Sequence, residues 1–215
     1  MRSVQLYGGR GEFPAGLSVS ALPASVLCVG CDHCGVSAMH SPENSPVLLR
    51  AVAREVEEFV STAGWDQGPQ LFALVPTAEL LAQQPELTGQ LDPTASPLTP
   101  IAQDELPDTD LAEALGGILW PDVVAGCALA QEIVVLPPDA EEKLRADELD
   151  DEAAREFAAT HPQRREARIV AAVLRDGTAA CVLHLRGNTE MPDEVVEHPE
   201  LAPNLTDALL HTLKP

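Results

Sequence analysis

An α+β fold is predicted for this 215-residue chain, with an antiparallel sheet of about four strands packed against helices on one face. Two observations carry that expectation. Asp176-Gly177 lies between two apolar runs, the strongest short-range hairpin signal a sequence offers. Two amphipathic helical stretches flank the strand-rich middle, in the order α-β-α-α-β-α-β-β-α, which suits a sheet backed by helices better than a doubly wound parallel sheet. About half the residues are apolar, enough for one core of ordinary size, so residues 45–215 are expected to form a single domain. Residues 1–44 are expected to be an irregular leader outside the working domain, with Met39 a candidate initiator.

The elements follow in order. Ser45-Pro46 supplies a cap and a proline at the first helical position. Leu48, Leu49, Val52, Val56, Phe59 and Val60 then form an apolar stripe, predicting a helix over 46–63 closed by Gly64. Its outer face is expected to carry Arg50, Arg54, Glu55, Glu57 and Glu58, with Arg54 and Glu58 at pairing distance one turn apart. After the turn at Trp65-Asp66, residues 70–75 read as a buried strand and Thr77 caps a short helix. The stretch 85–108 holds five prolines and reads as a surface loop.

Asp108–Asp110 would cap a helix reaching about Ile118, loosened by Gly116-Gly117. Period-two alternation predicts a strand over 124–136. The span 139–151, with seven acids, reads as a loop or exposed helix leading into a helical stretch at 152–160. The hairpin occupies 167–174 and 178–186, the stretch 187–203 is polar and proline-broken, and Leu205, Ala208, Leu209 and Leu213 mark a closing helix. No segment repeats at a period of 20–50 residues.

Charge narrows the function classes. Thirty-four acids face 13 bases, a net charge of −21, and residues 45–160 hold 23 of those acids against five bases. Such a surface disfavours nucleic acid and anionic membranes, because each phosphate contact needs a cation. No run of about 18 uncharged apolar residues is present, the length a membrane-crossing helix needs. The stretch 15–30 fits a secretory signal poorly, with Glu12 and Pro14 at its start and Pro23 inside it. A reducing, cytoplasmic setting is expected.

Two groups of residues are candidates for chemistry. Cys28, Cys31 and Cys34 form a C-x-x-C-x-x-C run, and with His40 they could place three thiolates and an imidazole around zinc. The fourth cysteine that an iron–sulfur site of the bacterial ferredoxin kind requires is missing from this run, and no other cofactor is indicated. Trp65-Asp66 and Trp120-Pro121-Asp122 each precede a predicted strand and contain both tryptophans. An exposed ring beside a carboxylate could hold a cationic or planar ligand in a cleft near the two turns. Alternatively, tryptophan closes the rim of the core and aspartate caps the turn.

The histidines have no partner at catalytic spacing in the sequence, and His184, among Val182, Leu183 and Leu185, reads as a surface or satisfied residue. Cys127 and Cys181 lie among apolar residues and are expected to be unreactive. Neither a nucleophile elbow nor a zinc-protease, phosphate-loop or dinucleotide motif is present. The chain is therefore expected to be a non-enzymatic, protein-binding or chaperone-like module. The alternatives are a metal- or redox-linked protein using the N-terminal cysteines and a small-molecule enzyme using the tryptophan turns.

The run Gly64-Trp65-Asp66-Gln67-x-Pro69-x-Leu71-Phe72-Ala73-Leu74-Val75-x-Thr77, with Trp120-Pro121-Asp122 and Gly126-Cys127-Ala128-Leu129, resembles a family of actinobacterial proteins of unknown function. The resemblance covers about residues 46–213, leaves the cysteine run outside, and implies no catalytic or ligand residues.

Overall fold

The computed structural model describes residues 45–107, 109–146, 151–189 and 191–214. Its centre is a six-stranded antiparallel sheet of order β2-β1-β3-β4-β5-β6. The strands are β1 (Gln70–Pro76), β2 (Leu98–Ala102), β3 (Gly126–Val135), β4 (Arg165–Leu174), β5 (Ala179–Leu185) and β6 (Glu194–Glu197). The helices are α1 (Ser45–Ser61), α2 (Thr77–Gln83), α3 (Leu111–Gly116), α4 (Pro138–Ala146), α5 (Asp151–Thr160) and α6 (Pro203–Thr212). The α+β class stands, but the sheet has six strands where about four were expected, and helices cover both of its faces.

Side-chain alternation divides the core in two. Even-numbered strand residues, among them Phe72, Leu74, Ala128, Ala130, Val170, Ala172 and Val182, pack under Leu49, Val52, Ala53, Val56 and Val60 of α1. Odd-numbered residues, among them Leu71, Leu129, Ile133, Ile169, Val173 and Leu183, pack with Leu80 of α2, Leu115 of α3 and Leu205 and Leu209 of α6. The small residues Ala128, Ala130 and Ala172 on the first face leave room for α1 to lie close. Gly126 opens β3 for a related reason: a Cβ there would stand 2.3 Å from the Val173 carbonyl oxygen. A third cluster, Leu136, Ala140 and Ala158, fixes α4 and α5 beside the end of β3.

Both strands that the sequence reading passed over are sheet edges. β2 lies inside the proline-rich stretch 85–108 and contains Pro100, which pairs with Leu74. Hydrogen bonds from Thr77 N–H to the Pro97 carbonyl (2.9 Å) and from Gln103 N–H to the Leu71 carbonyl (2.8 Å) show that odd-numbered residues of β2 face β1. Pro100 therefore faces outward, where its missing N–H costs no ladder bond. β6 lies in the polar stretch after the hairpin and, among the described residues, pairs with β5 alone.

The hairpin forms as expected, with Gly177 at φ +87° and its N–H bonded to the Leu174 carbonyl (3.0 Å). The Asp110 carboxylate caps α3 by accepting from Ala112 N–H (2.9 Å). In α1 the apolar arc is shifted from the expected stripe. Glu57 is only 7% exposed and faces the sheet, whereas Phe59 is 57% exposed and touches β1 edge-on through Phe72, with ring centroids 6.1 Å apart. Arg54 engages Glu197 of β6. No helix among the described residues is long and apolar enough to cross a membrane.

Candidate functional site

A row of three polar residues crosses the sheet at one end of the α1-covered face. Glu132 of β3 pairs across with Arg168 of β4, and Arg168 pairs with His184 of β5, so the three form a row on three adjacent strands. Arg168 is only 1% exposed. A guanidinium at that depth requires partners, since burying an unpaired charge costs several kcal/mol. It donates to Ser61 Oγ (2.8 Å), to the Gly64 carbonyl and to Glu132 Oε1 (3.2 Å), and lies 3.6 Å from Glu57 Oε1. Its Nε has no acceptor among the described residues.

The end of α1 is shaped to meet this row. Gly64 terminates the helix at φ +86°, a conformation that an L side chain resists, and Asp66 follows at φ +66°. This double reversal points the N–H groups of Asp66 and Gln67 at the Glu132 carboxylate, which accepts both at 3.0 and 3.1 Å. It also lays the Trp65 ring over the Arg168 guanidinium carbon (4.6 Å) and against that of Arg186 (5.1 Å), with the His184 ring edge-on at 5.4 Å. Trp65 thus binds cations as its chemistry suggests, but the cations belong to its own chain. The Asp66 side chain is exposed.

His184 Nδ1–H donates to Glu57 Oε1 (2.6 Å), and its Nε2 lies 3.7 Å from Asp193 Oδ1. Ser61 Oγ–H donates to the same Glu57 oxygen (2.6 Å). A serine, a carboxylate and a histidine are therefore together, but in the wrong order for nucleophilic catalysis. The carboxylate stands between serine and imidazole, so the imidazole is not placed to take the serine proton. What the arrangement does is tie α1, the turn after it and strands β3 to β5 into one polar knot.

The second tryptophan is elsewhere. Trp120 lies against the odd-numbered face, and its indole N–H donates to Thr212 Oγ1 of α6 (2.9 Å). Arg175, in the hairpin loop, donates from Nε to the Val124 carbonyl (2.8 Å) and from its terminal nitrogens to the carbonyls of Trp120 (3.2 Å), Pro121 (3.0 Å) and Leu213. It thereby joins the Trp-Pro-Asp turn to the end of α6, while Asp122 stays exposed.

The two tryptophan turns lie on opposite faces of the sheet. Along β4 the Arg168 end and the Leu174 end are separated by about 20 Å at the usual rise per residue. The cleft near both turns expected from the sequence is not formed, because the strand between them has its core on each side.

Cys127 and Cys181 are free and buried. Burial pushes the Cys127 thiol up to about 12 and the Cys181 thiol up to about 11, and both keep to nearby oxygens: Cys127 beside the Leu209 carbonyl (3.7 Å), Cys181 beside that of Pro199 (3.6 Å). The expected zinc ligands Cys28, Cys31, Cys34 and His40 lie outside the described residues, as does the leader 1–44 that contains them. Among the described residues no group of three or more His, Cys, Asp or Glu side chains could hold a metal ion.

Sequence reasoning singled out Trp65 but missed Glu57, Glu132, Arg168 and Arg175. The available signal was a charge, Glu132 or Arg168, set among apolar residues well inside each predicted strand.

The chain matches no curated protein and no solved structure. Its residues 49–214 match the family described as PPA1309-like protein, which takes in both tryptophan turns, the row Glu132–Arg168–His184 and α6. The chain belongs to the PPA1309-like protein family.

Proposed function

We propose that this chain is a non-enzymatic, protein-binding module working in the cytoplasm. The observation that carries this reading is the contrast between the polar knot and the surface. The groups that could have formed a reactive centre are engaged with one another inside the fold, whereas large apolar side chains remain uncovered on a strongly acidic exterior. Phe59, one of four phenylalanines, is more than half exposed on α1, and Val47, Leu119 and Val195 are more exposed than buried. An exposed aromatic or aliphatic anchor set among charges is what a protein partner uses, the anchor supplying affinity and the charges supplying orientation and encounter rate.

The test is cross-linked affinity capture of the full chain from lysate of its own organism at low and at high salt. A discrete partner that weakens as salt rises is expected. Absence of any partner at both salt levels overturns the reading.

A zinc site built from Cys28, Cys31, Cys34 and His40 is a second reading, favoured by their spacing. Metal analysis of the full-length protein decides it: one zinc per chain supports it and none removes it.

A further inference from the structure

We propose that the outer edge of β6 receives an extended, cationic segment of a partner protein as a seventh strand of the sheet, an inference that rests on the protein-binding reading above.

The register decides which backbone groups of β6 are available. His198 N–H bonds the Cys181 carbonyl (3.2 Å), and the rungs run Val182 with Glu197, Leu183 with Val196, His184 with Val195 and Leu185 with Glu194. In an antiparallel ladder alternate residues bond the neighbouring strand. Residues 194, 196 and 198 therefore turn toward β5, and the N–H and C=O of Val195 and Glu197 turn outward, with no partner among the described residues. This is an unfinished ladder. The opposite edge of the sheet is closed by Pro100, which sits at an outward-facing position of β2 and offers no donor. Natural sheets blunt their edges in this way; β6 carries no proline, and its short span is bounded by two glutamates, so its outward backbone groups stay open while its side chains select by charge.

The side chains around β6 indicate what would complete it. Val195 is 53% exposed and Met191, just before the strand, is 41% exposed, two of the few large apolar residues left outside. Strand addition draws affinity from main-chain bonds and specificity from alternate side chains, and Val195 offers an apolar footing of that kind. The strand itself is held as a template, with Glu197 engaged by Arg54 and Glu194 by Arg165 (3.5 Å). The Asp193 and Glu194 side chains remain mostly exposed at its start.

The occupant that fits is cationic. A second copy would bring another net charge of −21 and set one Glu-Val-Val-Glu strand beside another, whereas a lysine- or arginine-bearing strand meets opposite charge from the first encounter.

The experiment uses the full chain, isotopically labelled, and three synthetic peptides: alternating lysine and valine, alternating glutamate and valine, and the lysine–valine peptide with a central proline. Binding is read by fluorescence anisotropy and by amide exchange. The lysine–valine peptide is expected to bind, to slow exchange at Val195 and Glu197 by about tenfold or more, and to weaken as salt rises. The other two peptides are expected not to bind.

Val195→Pro removes an outward N–H without touching the β5–β6 ladder, and Val195→Lys leaves the backbone alone but repels a cationic strand. Each is expected to weaken binding about tenfold while the melting temperature stays within a few degrees. No binding, binding by either variant as tight as by the parent chain, or protection confined to the acidic helices α4 and α5 overturns the inference. So does slow exchange at Val195 and Glu197 in the free chain. Slow exchange that is independent of concentration assigns the edge to residues 1–44, and slow exchange lost on dilution assigns it to a second copy. A captured cellular partner that protects some other surface overturns the assignment to β6 and leaves the protein-binding reading standing.

Discussion

The guanidinium of Arg168 lies 4.6 Å from the ring centroid of Trp65, so the tryptophan of the most distinctive sequence run covers a buried cation of its own chain. The neighbouring Glu57 and Glu132 balance that cation, and Trp65 keeps water from it. Removing Arg168 leaves two carboxylates facing each other without it, and Arg168→Ala is expected to lose about 3–5 kcal/mol of stability. Trp65→Ala is expected to lose about 2–4 kcal/mol from packing and cation–π contact together. A double-mutant cycle by urea unfolding is expected to return a favourable coupling of about 0.5–2 kcal/mol, and strict additivity would show that the stacking is inert.

The turn that follows gives a second prediction. Asp66 adopts φ +66° so that its N–H and that of Gln67 reach Glu132. Asp66→Val places a β-branched side chain in the left-handed region and is expected to cost about 1–2 kcal/mol, whereas Asp66→Gly should stay within about 1 kcal/mol of the parent. Glu132→Ala leaves two amides and Arg168 short of an acceptor and should cost about 2–4 kcal/mol. Equal stability of the valine and glycine variants in a thermal melt would show that backbone conformation at residue 66 does not matter.

Arg175 gathers four carbonyls from the segment before β3 and the end of α6. The planar fork makes this possible, and lysine cannot reproduce it. Arg175→Lys is therefore expected to destabilise nearly as much as Arg175→Ala, by about 2–3 kcal/mol, and to quicken amide exchange at the end of α6. Full rescue by lysine would reduce the role of Arg175 to charge alone.

The buried thiols set an alkaline limit. In the unfolded chain they ionise near 9, whereas burial holds Cys127 neutral to about 12 and Cys181 to about 11. Between those limits the unfolded state loses protons that the folded state keeps, so stability is fully present below about pH 9 and falls as pH rises from there. Urea midpoints measured from pH 8 to 10.5 should decline, and Cys127→Ala together with Cys181→Ala should flatten the decline. In native protein both thiols should react with a disulfide reagent only on unfolding. Rapid native labelling at pH 8 would contradict their burial.

Most of the interior was legible in the sequence because it is local or strictly periodic. The Asp176-Gly177 hairpin, the turn after α1, the Asp110 cap and the alternation in β3 each rest on residues a few positions apart. The parts that escaped depend on distant partners. Glu57 looks like a surface acid from helix spacing alone, and its burial is explained only by Arg168 and by His184, which is 127 residues away. β2 and β6 escaped because edge strands carry the residues that argue against a strand, a proline in one and two glutamates in the other. The cover on both faces escaped because α1 packs on alanines, which mark a buried face weakly. Sequence placed each tryptophan turn before its strand, yet it could not show that the two turns lie on opposite sides of the sheet.

Amide exchange of the full chain, alone and with its captured cellular partner, tests the central claim most directly. Protection is expected to rise on exterior segments, while Glu57, Trp65, Glu132, Arg168 and His184, already held in the fold, keep their exchange rates. A small metabolite that raises the melting temperature and slows exchange only at Trp65, Arg168 and His184, with no protein partner found, would contradict it.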